Sequence, residues 1–361
     1  MEAKTLKPLW VPDLVFTVVL QEIELEGYRV TFPNRLKTEI ESFEIGEIRE
    51  REALIETEAS LISTGTELTA LTGDFPDSSA WSRYVKYPFI AGYSSVGRIV
   101  DVGHEVEEFE VGDRVAATSP HATYAIVEAE RLIKIPDNVA LEEACFHTIA
   151  SGAMNSVRLA NISMGESVVV IGLGLLGQMA TIFSRTAGAF PVAAVDLADG
   201  RLRLARVSGA TSTLRGDRWE DVKASVEELT RGRMADKVFE VTGNPDVVPK
   251  AMGLIKRQGC LVVLSSPRGK TVLDFHDEVN SPSRLIIGTH FGSQPAYETP
   301  YNPWTRRRNT ELFFDLISAG VLKINHLVTH RYPWREAEKA YKMLLEDRTR
   351  ALGVILLFKT G

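Results

Sequence analysis

The stretch that most restricts the fold is "VVVIGLGLLG" at residues 168–177. Apolar residues of a short buried strand lead directly into Gly172, Gly174 and Gly177, and helix-like spacing follows. In such a strand–turn–helix, the glycines allow a tight turn, close approach of a pyrophosphate and close packing of helix on strand. The free N–H groups at the helix N-terminus then face the phosphates. The motif therefore predicts a dinucleotide-binding site.

An acidic residue, Asp196, ends the next predicted strand in "PVAAVD". A carboxylate there accepts hydrogen bonds from the adenosine ribose hydroxyls and repels a 2′-phosphate, so we expect NAD. The nearby Arg201 and Arg203 keep NADP open as the less favoured cofactor, since arginines can accommodate that phosphate. A domain that has lost its cofactor is disfavoured, because the motif is intact. The predicted cofactor-binding residues are Gly172, Gly174, Leu175, Leu176, Gly177, Asp196, Arg201, Thr242, Gly243 and Ser265.

The pattern of residues divides the chain into three parts. Short strand-like runs with frequent turns, including a Gly-Asp hairpin turn in "FEVGDRV", predict a mostly antiparallel β domain up to about residue 136. A helix is expected over 141–160, and alternating strands and helices then predict a doubly wound parallel sheet, with one helix over 247–257. A polar loop containing Arg306–Arg308 and a final strand "ALGVILLF", returning to the first domain, complete the pattern.

Size and composition limit the classes of protein to consider. A chain of 361 residues suits two domains, and its net charge of −7 argues against nucleic acid or anionic membranes as partners. Two cysteines, Cys145 and Cys260, suit a reducing compartment and exclude a four-cysteine zinc lobe. No convincing signal peptide is present, and no apolar run reaches the ~20 residues of a membrane span. We expect a soluble, cytoplasmic protein.

Several motifs add up to a family resemblance. They are "GTELTALTG", "GYSSVGRIVDVG", "FEVGDRV", "TYAIVEAERLIKIPDNV", "VTGN" and "HLVTHRYPWREAEKAY". With them the chain resembles the medium-chain dehydrogenase/reductase family, which includes zinc alcohol and polyol dehydrogenases and zinc-free relatives. The resemblance implies a GroES-like, mostly β catalytic domain (1–162 and 301–361, with 1–27 an extension) around a Rossmann domain (163–300). It also implies a cleft active site and a homodimer formed through the last strand of the Rossmann sheet, "RLIIGTH".

The resemblance also shows which zinc ligands are missing. Thr64 stands where the family has a cysteine, Tyr93 and Ser94 stand in its G-H-E stretch, and the third ligand position falls on His147. Neutral threonine and tyrosine are poor zinc ligands, and one histidine cannot replace three. We therefore predict neither a catalytic nor a structural zinc.

Without a metal, side chains must hold the reacting oxygen. We predict that Tyr93 and Thr66 hydrogen-bond this oxygen and that His147 transfers the proton; Thr66 matches the position of the family's proton relay. Two alternatives are that Tyr93 fills the vacated pocket and that His147 is an ordinary buried histidine. A solvated loop is favoured over an anion clamp for Arg306–Arg308. The predicted substrate contacts are Thr64, Thr69, Ser94 and His121.

The leading functional prediction is an NAD-dependent, zinc-free dehydrogenase of a secondary alcohol. The polar pocket suits a polyol, sugar or cyclitol, because hydrogen-bonding sites select hydroxylated substrates. One alternative is reduction of an activated C=C bond, as in quinone and enoyl reductases. Another, of a different class, is an NAD-binding redox sensor without catalytic activity.

Overall fold

The computed structural model describes residues 26–359, so almost all of the predicted extension 1–27 lies outside the described residues. The strands are β1 (Glu26–Phe32), β2 (Glu39–Glu44), β3 (Glu52–Leu61), β4 (Phe89–Ile90), β5 (Ser95–Val102), β6 (Arg114–Ala117), β7 (Tyr124–Glu128), β8 (Ile133–Lys134), β9 (Val168–Ile171), β10 (Val192–Asp196), β11 (Ser212–Arg215), β12 (Ala235–Glu240), β13 (Ile255–Val263), β14 (Leu285–Gly288), β15 (Val328–Pro333) and β16 (Gly353–Leu357). The α-helices are α1 (Thr66–Thr72), α2 (Ala80–Tyr84), α3 (Leu141–Ala144), α4 (His147–Leu159), α5 (Leu175–Thr186), α6 (Asp199–Val207), α7 (Trp219–Leu229), α8 (Val247–Met252), α9 (Arg306–Ser318) and α10 (Ala337–Asp347).

A six-stranded parallel sheet forms the dinucleotide-binding half. Its order is β11-β10-β9-β12-β13-β14, and every neighbouring pair is parallel. The order reverses between β9 and β12, and in such sheets ligands bind outside the carboxyl ends of the strands at this point. The four residues of β9 are all buried, which explains their unbroken apolar sequence. The predicted doubly wound sheet is confirmed.

The remaining strands form the mostly β half. Seven strands form one sheet in the order β15-β16-β3-β5-β6-β8, with β7 also paired to β3, and a smaller sheet has the order β2-β1-β4. Strand β16 pairs antiparallel with β3, with Ile355 opposite Leu61. The last strand therefore returns to the first domain, as predicted.

Helix α4 joins the two halves. Ala150 and Ala153 are fully buried, and a single apolar core runs from Leu61 in β3 through α4 to Val170 in β9 and Phe313 in α9. All six parallel strands lie within the predicted 163–300 segment, although the boundaries themselves remain a prediction. Among residues 26–359, every helix is too short or too polar to cross a bilayer.

Two helix predictions were too long. The helix expected over 141–160 is interrupted between α3 and α4 at Cys145 and Phe146, which are both fully buried. The helix expected over 247–257 ends at Met252, because Ile255 already pairs with Ala235 of β12. Strand pairing with a distant segment overrides the local helical pattern there.

Two turn or loop predictions were also wrong. The Gly-Asp turn is not a simple hairpin: Gly112 takes a positive φ of 97°, but the residues just before it are not a strand. Arg306–Arg308 do not lie in a loop, because they form the first turn of α9. Thr305 caps that helix by accepting the Arg308 N–H at 3.1 Å.

Candidate active site

The glycine turn between β9 and α5 has the shape that a pyrophosphate requires. Gly172 has a φ of 93°, and a Cβ at Gly177 would lie 1.8 Å from the Gly172 carbonyl oxygen. A Cβ at Gly174 would meet nothing within 4 Å, so the space at the N-terminus of α5 is open. These positions fit the phosphates of a dinucleotide.

Asp196 lies beside this turn. Its Oδ2 accepts the Leu173 N–H at 2.6 Å and its Oδ1 accepts the Ala198 N–H at 2.9 Å, which fixes the carboxylate beside the glycine turn. Arg201 Nη1 is 4.0 Å from Asp196 Oδ2, and Nη2 donates to the Arg348 carbonyl at 2.6 Å. The Arg201 guanidinium is therefore already engaged by the protein.

The other predicted cofactor residues shape the same edge of the sheet. Glu240, fully buried at the end of β12, accepts the hydroxyls of Thr242 and Ser265 and the Thr242 N–H at 2.7 Å. Gly243 follows with a φ of 74°. The two hydroxyls are thus bonded to protein, and this segment contributes backbone shape. Leu175 is buried and Leu176 half-buried at the start of α5.

Tyr93, in the loop between β4 and β5, is half-buried and its hydroxyl has two polar partners. It donates to Ser63 Oγ at 2.5 Å and is also hydrogen-bonded by the Thr66 side chain. Burial raises the pKa of Tyr93 to about 12 against the opposing effect of these hydrogen bonds, and the charge of Glu67 raises it further. The phenol therefore stays protonated at neutral pH and acts as a hydrogen-bond donor.

His147 starts α4 and is 3% exposed. Burial lowers its pKa to about 4, despite hydrogen bonds with the backbone of Ser95 and Ala117. The neighbouring Thr148, rather than His147, reaches the Tyr93 loop, because its hydroxyl donates to the Tyr93 carbonyl at 3.3 Å. This placement argues against the predicted proton-transfer role of His147 and favours the alternative of an ordinary buried histidine.

Three predicted substrate contacts are engaged elsewhere. The Thr69 hydroxyl donates to the Gly65 carbonyl at 2.8 Å, and the Ser94 hydroxyl donates to the Cys145 carbonyl at 2.7 Å. His121 is fully buried, with Nδ1 2.7 Å from Ser60 Oγ and Nε2 3.0 Å from Glu67 Oε2. These bonds argue against direct substrate contacts.

Thr64 is half-buried, but its neighbour Ser63 is the residue that meets the Tyr93 hydroxyl. The structure therefore brings Ser63, rather than the predicted Thr64, to the Tyr93 hydroxyl. Ser63, Glu67, Thr148 and Tyr341 are the functional candidates that the sequence analysis missed. For Ser63, the only available signal was its position directly before Thr64.

Helix α4 connects the Tyr93 loop to the dinucleotide sheet. Thr148 bonds the loop at one end, and the Ser156 hydroxyl donates to Thr289 Oγ1, just beyond β14, at 2.8 Å. Eight helical residues rise about 12 Å. The Tyr93 loop and the carboxyl end of β14 are therefore connected through one helix segment of about this length.

The polar atoms around Tyr93 do not fit a zinc ion. They are hydroxyl oxygens, whereas zinc sites use thiolate, imidazole and carboxylate. Within residues 26–359, the one group of at least three histidine, cysteine or acidic side chains close enough to share a metal is Glu50, His104 and Glu105. All three are exposed; Glu50 lies in the turn before β3, and His104 and Glu105 lie in the turn after β5.

The fold and the glycine site define an oxidoreductase that uses an NAD(P) cofactor. Two family models match: "Alcohol dehydrogenase GroES-like domain" over residues 49–137 and "Zinc-binding dehydrogenase" over residues 176–305. Together they cover more than half of the chain. It belongs to the zinc-type medium-chain alcohol dehydrogenase-like family, and it is an enzyme that oxidises or reduces alcohols and their carbonyl products.

Individual relatives agree with this assignment. Sorbitol dehydrogenase 1 of Saccharomyces cerevisiae is 28% identical over 303 residues, covering 73% of this chain and 80% of that protein. D-guloside 3-dehydrogenase of Escherichia coli is 28% identical over 264 residues, covering 72% and 74%. The crystal structure of 2R,3R-butanediol dehydrogenase from Bacillus subtilis shares the fold, with a TM-score of 0.77, 21% identity and coverage of 92% and 100%.

Proposed function

We propose that this enzyme is an NAD-dependent dehydrogenase that works without a catalytic zinc on a secondary alcohol of a polyol, sugar or cyclitol. The observation that carries the proposal is the hydroxyl cluster of Tyr93, Ser63 and Thr66. Two of its members, Tyr93 and Thr66, stand in the motifs that resemble the metal-binding stretches of zinc-dependent relatives, and α4 connects the Tyr93 loop to the dinucleotide sheet, which supports the proposal.

NAD is supported by the fixed carboxylate of Asp196. Its two backbone hydrogen bonds hold a negative charge where a 2′-phosphate of NADP would have to lie. The alternative cofactor, NADP, would instead need arginines to bind its 2′-phosphate. Arg203 and Arg350, which line a cavity of about 540 Å³ next to α6, are the candidates for that contact.

In this proposal the hydroxyl groups of Tyr93, Ser63 and Thr66 stabilise the charge on the substrate oxygen, which is the role of the zinc ion in zinc-dependent enzymes. When bound, the nicotinamide ring supplies the acceptor or donor of hydride. On substrate binding, the single O–H of the Tyr93 phenol turns from Ser63 Oγ to the substrate oxygen, on which negative charge develops, and the Ser63 hydroxyl then donates to the phenol oxygen. In alcohol oxidation the hydride leaves to the nicotinamide ring and the hydroxyl proton passes through the Thr66 hydroxyl to solvent; reduction follows the reverse course. A preorganised donor of this kind is typically worth about 10²–10³ in kcat. Ser63 and Thr66 keep the phenol oriented.

The substrate class follows from the same chemistry. A pocket of hydroxyl donors and acceptors discriminates against substrates that leave them unpaired. Two relatives named for sorbitol and a D-guloside, both rich in hydroxyls, support this class.

One assay series tests the proposal. Purified enzyme is analysed for metals, dialysed against a strong chelator and assayed for NAD⁺ reduction across polyols, sugars and cyclitols. We expect full activity after chelation and a kcat about 100-fold lower in Tyr93→Phe. Loss of activity with a stoichiometric zinc would refute the zinc-free mechanism, and turnover restricted to enones with NADPH would replace the proposed reaction by C=C reduction. NADH binding without turnover of any compound would favour a redox sensor.

We also propose a homodimer formed through β14 and a cytoplasmic location. Strand β14 is one of the two edge strands of the parallel sheet, and Leu285 and Ile286 on it are 59% and 39% exposed. Both cysteines are free and buried, as is usual in a reducing compartment.

A further inference from the structure

We propose that Glu67 is a positioning residue that holds the Ser63–Tyr93 hydroxyl pair in place and is itself held by His121 and Tyr341. The inference rests on the proposed function of Tyr93. It concerns a buried polar cluster, Ser60–Glu67–His121–Tyr341, which has no other role in the proposed reaction.

Glu67 is the centre of this cluster. Its side chain is 1% exposed at the start of α1. Oε1 accepts the Ser63 N–H at 2.8 Å, and Oε2 accepts hydrogen bonds from His121 Nε2 at 3.0 Å and from the Tyr341 hydroxyl. A buried carboxylate is tolerated when its oxygens are satisfied in this way.

The two ring nitrogens of His121 have separate partners. Glu67 Oε2 only accepts hydrogen bonds, so Nε2 donates to it, while Nδ1 lies 2.7 Å from the Ser60 hydroxyl. Glu67 is therefore held by groups from separate parts of the fold.

Glu67 controls Ser63 through two bonds. Besides accepting the Ser63 N–H, it donates its own N–H to the Ser63 carbonyl at 3.0 Å. Ser63 Oγ is the acceptor of the Tyr93 phenol at 2.5 Å. A shift of the Glu67 carboxylate therefore changes where the phenol points.

The negative charge of Glu67 also affects Tyr93, because it favours the protonated phenol. The groups that influence Tyr93 are Ser63 and Thr66 by hydrogen bonds and Glu67 and Tyr84 by charge. Burial is the largest cause of the raised pKa of Tyr93, and the negative charge of Glu67 adds to it. Glu67 thus helps to keep the phenol protonated as well as oriented.

Tyr341→Phe is the sharpest variant, because it removes one donor from Glu67 and leaves the ring. We expect kcat to fall about 10-fold with KM for the alcohol nearly unchanged. The matched control is Tyr87→Phe: the Tyr87 hydroxyl donates to the Ala70 carbonyl at 2.5 Å on the same helix, with no bond to Glu67. It should lose similar thermal stability and keep its kcat.

A double-mutant cycle separates positioning from general damage. If Tyr341 acts through Tyr93, adding Tyr341→Phe to Tyr93→Phe should lower kcat less than about 2-fold further. Full additivity, or an equal loss of kcat in Tyr87→Phe, would overturn the positioning role.

A crystal structure of Tyr341→Phe gives a readout independent of activity. A Ser63–Tyr93 oxygen separation lengthened beyond hydrogen-bond distance supports positioning, and an unchanged separation refutes it. If instead Tyr93→Phe alone retains full kcat, the proposed function of Tyr93 fails, and the crystallographic result still decides whether Glu67 positions the pair.

Discussion

Tyr93 and His147 are held in opposite protonation states. Loss of solvent contact keeps Tyr93 protonated by raising its pKa to about 12 and keeps His147 unprotonated by lowering its pKa to about 4. Both side chains are therefore neutral at pH 7, and neither exchanges protons readily there. This favours hydrogen bonding over proton transfer as the contribution of Tyr93, and it argues against proton transfer by His147.

His147 lowers the stability of the folded enzyme at acidic pH. The unfolded chain binds a proton on this ring below its ordinary pKa of about 6.5, whereas the folded chain does not until about 4, so acid favours unfolding. We expect the free energy of unfolding to be unaffected by this group above pH 6.5 and to lose up to about 3 kcal/mol on acidification to pH 4. Urea titrations across this range should show a smaller loss in His147→Gln than in wild type. His276→Gln, at an exposed position, is the control and should keep the wild-type loss.

Residue-level prediction from sequence succeeded where the chemistry is local. Tyr93 and Thr66 were named from their motif positions, and the structure brings them together. Ser63 was missed because "TGTE" matches the family's C-G-T-D stretch residue for residue, which puts Thr64 and not Ser63 at the cysteine position. Only the bond to Tyr93 selects Ser63 over Thr64.

At the level of elements, the turn from β9 to α5 carries the cofactor prediction. Its glycines differ in how much space surrounds them. A Cβ at Gly177 would overlap the Gly172 carbonyl at 1.8 Å, whereas one at Gly174 would meet no atom within 4 Å.

Replacing Gly174 with alanine should therefore impair NADH binding, whereas replacing Gly177 should impair stability. We expect Gly174→Ala to fold with a near wild-type melting temperature but to bind NADH about 10-fold more weakly, because its methyl group enters the phosphate space. Gly177→Ala should be destabilised by several kcal/mol through overpacking. Thermal melts and NADH fluorescence titrations measure both effects. Equal NADH affinity in Gly174→Ala and wild type would contradict a pyrophosphate at this turn.

The elements that the sequence analysis misjudged have two different physical causes. The helix before β13 was expected to extend to residue 257, but pairing of Ile255 with Ala235 depends on a strand that lies 20 residues earlier. Arg306–Arg308 were assigned to a loop although Thr305 caps a helix that begins there. The first error came from a distant strand contact, whereas the second came from a local cap that went unrecognised.

At the scale of the whole molecule, the active site depends on both ends of the fold. Tyr341 bonds Glu67 across 274 residues of sequence, and β16 pairs with β3. The sequence predicted that the last strand returns to the first domain. It gave no signal for the Tyr341 bond, because nothing near either residue marks the partner.

The β14 edge of the parallel sheet is the remaining large-scale feature. Phe275, which is 66% exposed, lines a surface cavity together with Leu285 and so extends the apolar surface formed by Leu285 and Ile286. Exposed strand edges of this kind invite pairing with another chain. If two copies pair through β14, light scattering should give twice the chain mass of 39.9 kDa. Leu285→Lys would bring like charges together across the symmetric interface and should halve that mass. Val111→Lys, equally exposed at 61% on the turn before β6, should remain dimeric, and a monomeric wild-type enzyme would contradict the proposed interface.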